Sequence, residues 1–265
     1  MQNKSWLLEY APKSFRKEHL ILPDEVRDQF IEIIEGRWKE NILLSGTPGT
    51  GKSSVAQLLL KHAVEPIIID LPQYKSDKHW QEGGQGWRKM MGTQLSQFFL
   101  EPHELRKKKI KRLVVLEEFD VLNSQHLFKT LLNARDDTIC VLTTNHIIKI
   151  TEPIKSRCVH FSFGRDSELW INREHETPAG YRDQIEKDVR YLIRAMLKKE
   201  LKRSVWEKKI TDGSGVVRDY IETEEVANFF RNVINTHYPS VRDILGNVRK
   251  YVIKKQLKIP PRLMR

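Results

Sequence analysis

Cysteine is nearly absent from this chain of 265 residues, which contains Cys140 and Cys158 and no CxxC pair. Structural zinc sites draw on clustered thiolates or histidines, so two isolated cysteines argue against a zinc site. Both lie among apolar residues, where a free buried thiol is the ordinary outcome. We therefore expect free thiols and a reducing compartment.

Long apolar runs are also missing. No stretch approaches the roughly 18 apolar residues that a membrane-spanning helix needs, so no membrane partner is expected. The N-terminus reads MQNKSWLLEY and lacks the apolar core of a signal peptide. These features predict a protein that acts in the cytoplasm in which it is made.

Acidic residues are outnumbered by basic ones. The chain has 46 Lys and Arg against 35 Asp and Glu, a formal net charge of +11. This excess favours a polyanionic partner, with nucleic acid as the first candidate, although a merely solvated basic surface also fits. Basic residues cluster at 107–112 and in the tail 249–265, which has no acidic residue. The block at 107–112 fits a solvated loop as well as a DNA contact.

Short apolar segments alternate with helical patterns over the first part of the chain. Buried strands are predicted at 42–44, 67–69, 113–116, 139–142 and 159–163. Helical spacing of apolar residues predicts helices at 24–35, 52–62 and 87–99. Such alternation is typical of an α/β fold, with a parallel sheet covered by helices on both faces.

The pattern changes near Phe163. A polar segment at 165–180 is followed by predicted helices at 181–201, 223–235 and 240–252. Ser240 and Asp243 form a capping-box-like start for the last of these helices. We therefore divide the chain into an α/β domain at 1–164 and a small, all-helical domain with a basic tail at 165–265.

A glycine-rich segment follows the first strand and matches the GxxxxGK[ST] pattern of a P-loop. Its glycines let backbone N–H groups turn toward phosphate oxygens, and the next helix points its positive end at them. Lys52 is expected to reach the terminal phosphates of ATP, and the Ser53 hydroxyl to bind Mg²⁺. The predicted ATP-binding residues of this segment are Gly46, Thr47, Pro48, Gly49, Thr50, Gly51, Lys52, Ser53 and Ser54.

Two carboxylates follow the predicted strand at 113–116. In P-loop enzymes the first carboxylate after such a strand holds Mg²⁺ and the second activates the attacking water. We assign these roles to Glu117 and Glu118, respectively. The metal-side residue is normally aspartate, and the extra methylene of Glu117 lengthens its reach. Slow hydrolysis, or a chain that binds ATP but hardly hydrolyses it, therefore stays open.

Two further segments resemble the AAA+ ATPases of sliding-clamp loaders. Thr143-Thr144-Asn145 follows a strand, as the sensor 1 residues of that family do, and Ser156-Arg157-Cys158 resembles its Ser-Arg-Cys triplet. The likeness runs from Ile21-Leu22-Pro23 to Phe161-Ser162-Phe163-Gly164. It is strongest to the large subunit of T-even-type bacteriophages and extends to replication factor C small subunits.

This resemblance implies roles for two residues. Asn145 is expected to help place the attacking water near the terminal phosphate. Arg157 is expected to enter the ATP site of the neighbouring subunit as a finger in trans. A guanidinium suits that role because it stays charged and can fork around phosphate oxygens.

Both ends of the chain carry weaker likenesses. Trp6-Leu7-Leu8-Glu9-Tyr10-Ala11-Pro12 resembles the family's Tyr-Arg-Pro opening, which implies that Tyr10 and Pro12 lie against the adenine. Ala11 replaces the arginine of that opening. Ser240-Val241-Arg242-Asp243-Ile244 resembles the sensor 2 helix, which makes Arg242 a candidate phosphate contact. A surface arginine at a helix start is the alternative for Arg242.

The resemblance implies an AAA+ P-loop NTPase fold with a helical lid, and a function in DNA replication. ATP and Mg²⁺ are the expected cofactors. The expected partners are a sliding clamp, other clamp-loader subunits in a homo- or hetero-oligomer, and primer–template DNA. A collar domain joins the subunits in the family, and we identify none in 165–265. The resemblance thus supports the ATPase chemistry better than the usual ring.

Other functions remain open from the sequence. An AAA+ helicase loader or transposition regulator shares the same nucleotide residues, although the Ser-Arg-Cys triplet favours a clamp loader. A nucleotide-gated binding subunit that hydrolyses little ATP and mainly contributes Arg157 to a partner is supported by Glu117. A small-molecule P-loop kinase is disfavoured because it has no use for an arginine in trans.

Overall fold

A computed structural model describes residues 9–16, 19–22, 24–72, 110–123, 125–129, 132–133, 138–163, 178–206, 208–211, 217–260 and 263. The predicted helix at 87–99, Trp6-Leu7-Leu8, Gly164 and residues 107–109 lie outside these ranges. The chain divides into two compact units. The α/β unit comprises Glu25–Gly46 and Lys52–Phe163, and the C-terminal unit comprises Met1–Asp24, Thr47–Gly51 and Gly164–Arg265. The division predicted at residue 164 stays a prediction.

The α/β unit is built on a five-stranded parallel sheet in the order β2-β3-β4-β1-β5. All five predicted strands are confirmed, and β2 and β3 extend further toward their N-termini than predicted. The elements are α1 Asp24–Ile34, β1 Asn41–Ser45, α2 Lys52–Leu60, β2 Ala63–Asp70, β3 Ile110–Glu117, β4 Thr138–Thr144, α3 Glu152–Lys155 and β5 Cys158–Ser162.

Burial explains why these segments form strands. Every residue of β1 and of β4 is buried, as expected for central strands of a parallel sheet covered on both faces. Leu43, Val114 and Leu142 belong to one apolar cluster that also contains Phe119. Side chains of this kind contribute about 1.5–3 kcal/mol each when fully buried. The apolar runs thus form the core of the unit.

The strand register sets which loops meet. Ser45 pairs with Thr144 at the carboxyl ends of β1 and β4, and Leu116 pairs with Leu142 near the ends of β3 and β4. Asn41 pairs with Cys158 at the amino ends of β1 and β5. The loops that follow β1, β3 and β4 therefore leave from one edge of the sheet, and β5 begins at the opposite edge.

The C-terminal unit contains the three predicted helices. Its elements are α4 Pro178–Glu200, α5 Arg203–Trp206, β6 Lys209–Thr211, β7 Val217–Asp219, α6 Glu224–His237, α7 Val241–Lys250, β8 Val252–Ile253 and β9 Gln256–Leu257. Phe229, Phe230 and Ile244 are among the buried residues of its core. The expectation of an all-helical domain needs correction, because β6 pairs with β7 and β8 with β9 in two short antiparallel hairpins.

The start of α7 confirms Ser240 as the predicted cap residue but not the reciprocal half of the predicted capping box. The Ser240 hydroxyl accepts a hydrogen bond of 3.3 Å from the Asp243 N–H, which satisfies one of the unpaired donors of the first turn. The Ser240 N–H donates to the His237 carbonyl rather than to the Asp243 side chain. The start is therefore a simple serine cap.

Candidate nucleotide site

The P-loop is wound tightly between β1 and α2. Gly46, Gly49 and Gly51 have φ angles of 142°, 83° and 105°, which favour glycine. A Cβ atom on Gly46 would lie 2.9 Å from backbone atoms of Phe163. Lys52 is buried, and its Nζ donates to the Gly46 carbonyl at 2.6 Å. The lysine that is predicted to reach the phosphates is thus held at the residue where the P-loop begins.

The other predicted P-loop residues differ in exposure. Thr47 and Pro48 are exposed, while Thr50 is buried and its hydroxyl donates to the Thr47 carbonyl at 2.9 Å. Ser53 is exposed and Ser54 is half-buried in the first turn of α2. The Ser53 hydroxyl is therefore accessible to a bound cation.

Glu117 and Glu118 leave β3 in different environments. Glu117 Oε1 is buried and has no hydrogen-bond partner among the residues that the structure describes. A buried carboxylate oxygen without a donor is costly, so a divalent cation fits this position. Glu118 is exposed and left-handed, with φ 54°, and its N–H donates to the Thr143 hydroxyl at 3.1 Å. This backbone turn presents the Glu118 side chain to solvent.

Asp120 links this turn to the end of β4. Its Oδ1 atom accepts from the Thr144 hydroxyl at 2.7 Å and from the Asn145 N–H at 3.2 Å. Asn145 is half-buried. Asp120 was not among the predicted site residues, although a third carboxylate so close to Glu118 is a signal in the sequence.

Arg157 lies at the other edge of the sheet. Its backbone carbonyl is 3.4 Å from Asn41 Nδ2, at the amino end of β1. The guanidinium donates from Nε to Asn133 Oδ1 at 3.1 Å and from Nη1 to the Pro153 carbonyl at 2.7 Å. The strand β1 rises about 3.3 Å per residue between Asn41 and the P-loop. The structure therefore brings Lys52, Ser53, Glu117, Glu118 and Asn145 to one edge and Arg157 to the other.

The C-terminal unit holds the remaining predicted contacts. The Arg242 N–H donates to the Gly49 carbonyl at 3.3 Å, and the Arg242 side chain is exposed. A Cβ atom added to Gly49 would overlap the Ser240 hydroxyl. Gly49 and the start of α7 are thus in direct contact, while no polar contact of the Arg242 guanidinium is seen among the described residues.

Tyr10 is tied to the end of α4. Its hydroxyl donates to Glu200 Oε1 at 2.7 Å, and Lys199 Nζ lies 5.9 Å from the ring centroid. Burial and the Glu200 carboxylate raise the pKa of Tyr10, so the phenol stays protonated. Pro12 is half-buried. The adenine contact expected of Tyr10 and Pro12 stays a prediction.

The prediction of a solvated loop or a DNA contact is wrong for Arg112. Arg112, counted in the basic block at 107–112, is 1% exposed and its Nε donates to Glu65 Oε2 at 3.0 Å on the neighbouring strand β2. It is therefore neither in a solvated loop nor accessible to DNA. In the tail, the exposed basic side chains of the described part are Lys250, Lys254, Lys255 and Lys258.

The two cysteines are free, as expected. Burial raises the pKa of Cys140 and of Cys158 to about 12, so both remain thiols at neutral pH. No cluster of His, Cys, Asp and Glu able to hold a metal by itself occurs within the described ranges. Nor do those ranges contain a helix that is long and apolar enough to cross a membrane.

Comparison with known sequences agrees with these features. Residues 42–165 match the family model described as "ATPase family associated with various cellular activities (AAA)". The chain is 28% identical over 176 residues to the sliding-clamp-loader large subunit of Escherichia phage RB69, covering 63% of this chain and 50% of that protein. It is 25% identical over 179 residues to the replication factor C small subunit of Thermofilum pendens, covering 62% and 48%. The predicted resemblance to clamp loaders is confirmed, and the chain spans about half the length of these relatives.

Comparison with solved structures confirms the fold. The Thermotoga maritima RuvB Holliday junction branch migration motor aligns with a TM-score of 0.51 at 16% identity, covering 96% of this chain and 70% of that one. PCH-2 of C. elegans aligns with a TM-score of 0.52 at 16% identity, covering 97% and 71%. At these identities the likeness shows the AAA+ fold alone.

Proposed function

We propose that this chain, which carries an AAA-family ATPase domain and is related to sliding-clamp-loader subunits, is the ATP-driven subunit of a clamp loader. In this role it binds ATP at sites shared between neighbouring copies. ATP binding opens a sliding clamp, and hydrolysis releases the clamp around primer–template DNA. The observation that carries the proposal is the position of Arg157.

The position of Arg157 supports a role toward a neighbour rather than toward its own chain. Its backbone is bonded to Asn41 at the amino end of β1, and the P-loop starts beyond Ser45 at the carboxyl end. The strand spacing puts roughly 13 Å between these two ends. The guanidinium is also held at the amino edge by Asn133 and Pro153. An arginine in this place supports the trans role that the Ser-Arg-Cys triplet implies.

Each residue at the carboxyl edge of the sheet has a separate role in the proposed hydrolysis of ATP. Lys52 carries positive charge to the phosphates, and Glu118, whose side chain is exposed, takes a proton from the attacking water. Asn145, held through Asp120, orients that water. Ser53 and Glu117 are the residues that would hold Mg²⁺. When bound, Mg²⁺ neutralises charge on the phosphate oxygens.

A site divided between two copies makes hydrolysis depend on assembly. The Arg157 guanidinium stabilises the charge that develops on the transferred phosphoryl group only when the neighbour is aligned. DNA that aligns the copies would therefore stimulate hydrolysis. We expect DNA contacts to be mainly electrostatic and to weaken with salt, since the chain is strongly basic.

One observation favours a second function. Glu117 stands where the metal ligand is normally aspartate, which is compatible with a nucleotide-gated binding subunit that hydrolyses little ATP and lends Arg157 to a partner. A helicase loader or transposition regulator would use the same site residues. Measured turnover separates the binding subunit from the motor, and dependence on a sliding clamp separates the clamp loader from the other motors.

The test is steady-state ATP hydrolysis by the purified protein, with and without primer–template DNA and a sliding clamp. Strong stimulation by primed DNA supports the motor, and absence of turnover under all conditions contradicts it.

The shared site is tested by mixing Lys52→Ala protein, which keeps the arginine, with Arg157→Ala protein, which keeps the P-loop. Activity restored in the mixture, but absent from each variant alone, requires that one copy's arginine serve the other's ATP.

A further inference from the structure

We infer that Asn133 is a positioning residue for Arg157, fixing its guanidinium before a neighbouring copy arrives. Asn133 is supported in turn by the buried Asn41. The inference rests on the proposed function, because it concerns how one chain presents its arginine to the next. Neither asparagine belongs to the motifs that identify the nucleotide site, and both lie at the amino edge of the sheet.

The guanidinium is held by two hydrogen bonds from different atoms. Nε donates to the Asn133 side-chain oxygen at 3.1 Å, and Nη1 donates to the Pro153 carbonyl at 2.7 Å. Two bonds from separate nitrogens of a planar group fix the orientation of its plane. Within the described part of the chain, Nη2 of Arg157 makes no hydrogen bond. That amino group thus remains available to phosphate oxygens of a neighbour's ATP.

The backbone around Asn133 is held by hydrogen bonds and by the burial of its neighbour Leu132. Its N–H donates to the Lys129 carbonyl at 3.1 Å, and the preceding residue, Leu132, is buried in the core. The Leu132 carbonyl accepts a bond of 2.8 Å from Asn41 Nδ2. Hydrogen bonds of the Asn133 N–H and of the Leu132 carbonyl therefore hold this segment in place.

Asn41 connects this segment to Arg157 directly. It is 6% exposed, and besides the bond to Leu132 its Nδ2 donates to the Arg157 carbonyl at 3.4 Å. Its Oδ1 accepts from the Cys140 N–H at 2.9 Å in β4. A buried amide whose donor and acceptor are both satisfied fixes the groups around it. Asn41 thus sets the spacing between Arg157 and Asn133.

An amide suits this position better than a carboxylate. A long arginine side chain loses much rotamer freedom when it is ordered, and a side chain ordered in advance does not incur that loss on assembly. A carboxylate would also order the guanidinium, but it would neutralise the charge that the phosphates need. The neutral Asn133 oxygen orients Arg157 and leaves its charge intact.

The experiment places the same substitution on either side of the shared site. Asn133→Ala is added to Lys52→Ala protein, which supplies the arginine, and this is mixed with Arg157→Ala protein. In the control mixture Asn133→Ala is added instead to the Arg157→Ala protein, which supplies only the ATP site. We expect kcat to fall about tenfold in the first mixture, in line with loss of one hydrogen bond to a charged group. The KM for ATP should not change, and the control mixture should match the parent mixture.

The outcomes separate this inference from the proposed function. Equal activity in both mixtures, or an equal loss in both, overturns the positioning role while the shared site stands. Lack of activity in the parent mixture of Lys52→Ala and Arg157→Ala, when the unaltered protein is active, overturns the shared site itself. A direct measurement then tests whether Asn133 orders the Arg157 side chain.

That measurement is the hydrogen exchange of the Arg157 Nε–H by ¹⁵N NMR, assigned with the Arg157→Ala variant. We expect slow exchange in the unaltered protein and fast exchange in Asn133→Ala protein, because the acceptor is lost. Equal exchange in the two proteins overturns the inference whatever the activities are. Asn133 is exposed, so its truncation leaves the core unaltered, and unchanged thermal unfolding checks this.

Discussion

The Asp120 carboxylate fastens the Asn145 backbone to the turn that follows β3. A single oxygen, Oδ1, accepts from the Asn145 N–H at 3.2 Å and from the Thr144 hydroxyl at 2.7 Å. The turn also carries Glu118, whose N–H donates to the hydroxyl of Thr143 in β4. The proposed base and the proposed water-orienting residue are therefore fixed to each other through hydrogen bonds between neighbouring strands.

Asp120→Ala should lower ATP turnover about tenfold, because Asn145 loses the acceptor that holds its backbone. The affinity for ATP should stay within about twofold, since Asp120 lies outside the P-loop. Both quantities can be measured by steady-state kinetics and equilibrium nucleotide binding. Thr144→Val is the control, because it leaves the bond from the Asn145 N–H to Asp120 and removes only the hydroxyl, which also accepts from the His146 N–H at 2.9 Å. A larger loss in Thr144→Val than in Asp120→Ala would contradict this role.

Glu118→Gln should reduce ATP turnover by about 10²-fold or more while ATP still binds, as expected for loss of a general base. The side chain is exposed, so the unfolding free energy should be unaltered. Turnover assays and nucleotide binding on the same preparation test both statements. If turnover scarcely changes, the chain is a passive nucleotide binder and the motor proposal fails.

Gly49→Ala should weaken ATP binding and destabilise the protein by about 1–3 kcal/mol, since φ is 83° and the new methyl overlaps the Ser240 hydroxyl. Gly246→Ala is the matched control. Gly246 lies inside α7 with nothing within 4 Å of an added Cβ, so alanine there should stabilise by up to about 1 kcal/mol. Urea unfolding of the two variants measures both changes, and equal effects would contradict the close packing around Gly49.

Alkaline pH should destabilise the fold through Cys140. Burial raises the pKa of the Cys140 thiol to about 12 in the folded protein, whereas the pKa of a cysteine in an unfolded chain is near 8.5. Between these values only the unfolded state releases the proton, so its contribution to stability is complete below about pH 8.5 and declines by about 1.4 kcal/mol per pH unit above it. The difference in unfolding free energy between the unaltered protein and Cys140→Ala should therefore shrink from pH 8 to pH 10. Parallel pH profiles for the two proteins would rule out this contribution.

The sequence was sufficient for the sheet and for the nucleotide motifs. Strands such as β1 and β4 are buried along their whole length, and their apolar runs are therefore continuous and easily recognised. The P-loop and the Glu117-Glu118 pair are contiguous patterns whose chemistry requires their spacing. Because each motif directly follows a recognisable strand, the sequence alone was enough to predict that the P-loop and the Glu117-Glu118 pair lie at the carboxyl edge of the sheet.

Contacts between distant segments could not be predicted in this way. Asn133 and Arg157 are 24 positions apart, and Asn41 and Arg157 are 116 apart. Arg112 was misplaced for the same reason, because its partner Glu65 lies on the neighbouring strand β2. Nothing in the local pattern around these residues indicates their partners.

The β8–β9 hairpin was missed because its turn lacks the usual residues. Lys254 and Lys255 both have left-handed backbones, with φ angles of 49° and 60°. Two-residue hairpin turns of this kind favour Asn-Gly or Asp-Gly, and a lysine pair gives no such signal. The Lys255 carbonyl accepts from the Lys202 N–H at 3.1 Å, which helps to hold this turn.

The two ends of the five-residue strand β1 carry different parts of the proposed shared ATP site. In the proposed clamp-loader role, the arginine that a chain gives to its neighbour is anchored at Asn41, and the P-loop that needs a neighbour's arginine begins after Ser45. Two identical copies related by a twofold axis present equivalent surfaces to each other, whereas this arrangement joins unlike edges and so builds head-to-tail. In an open row the terminal P-loop lacks an arginine, and only closure of the row or a different terminal protein can complete it. Turnover per chain should therefore rise with the length of the row.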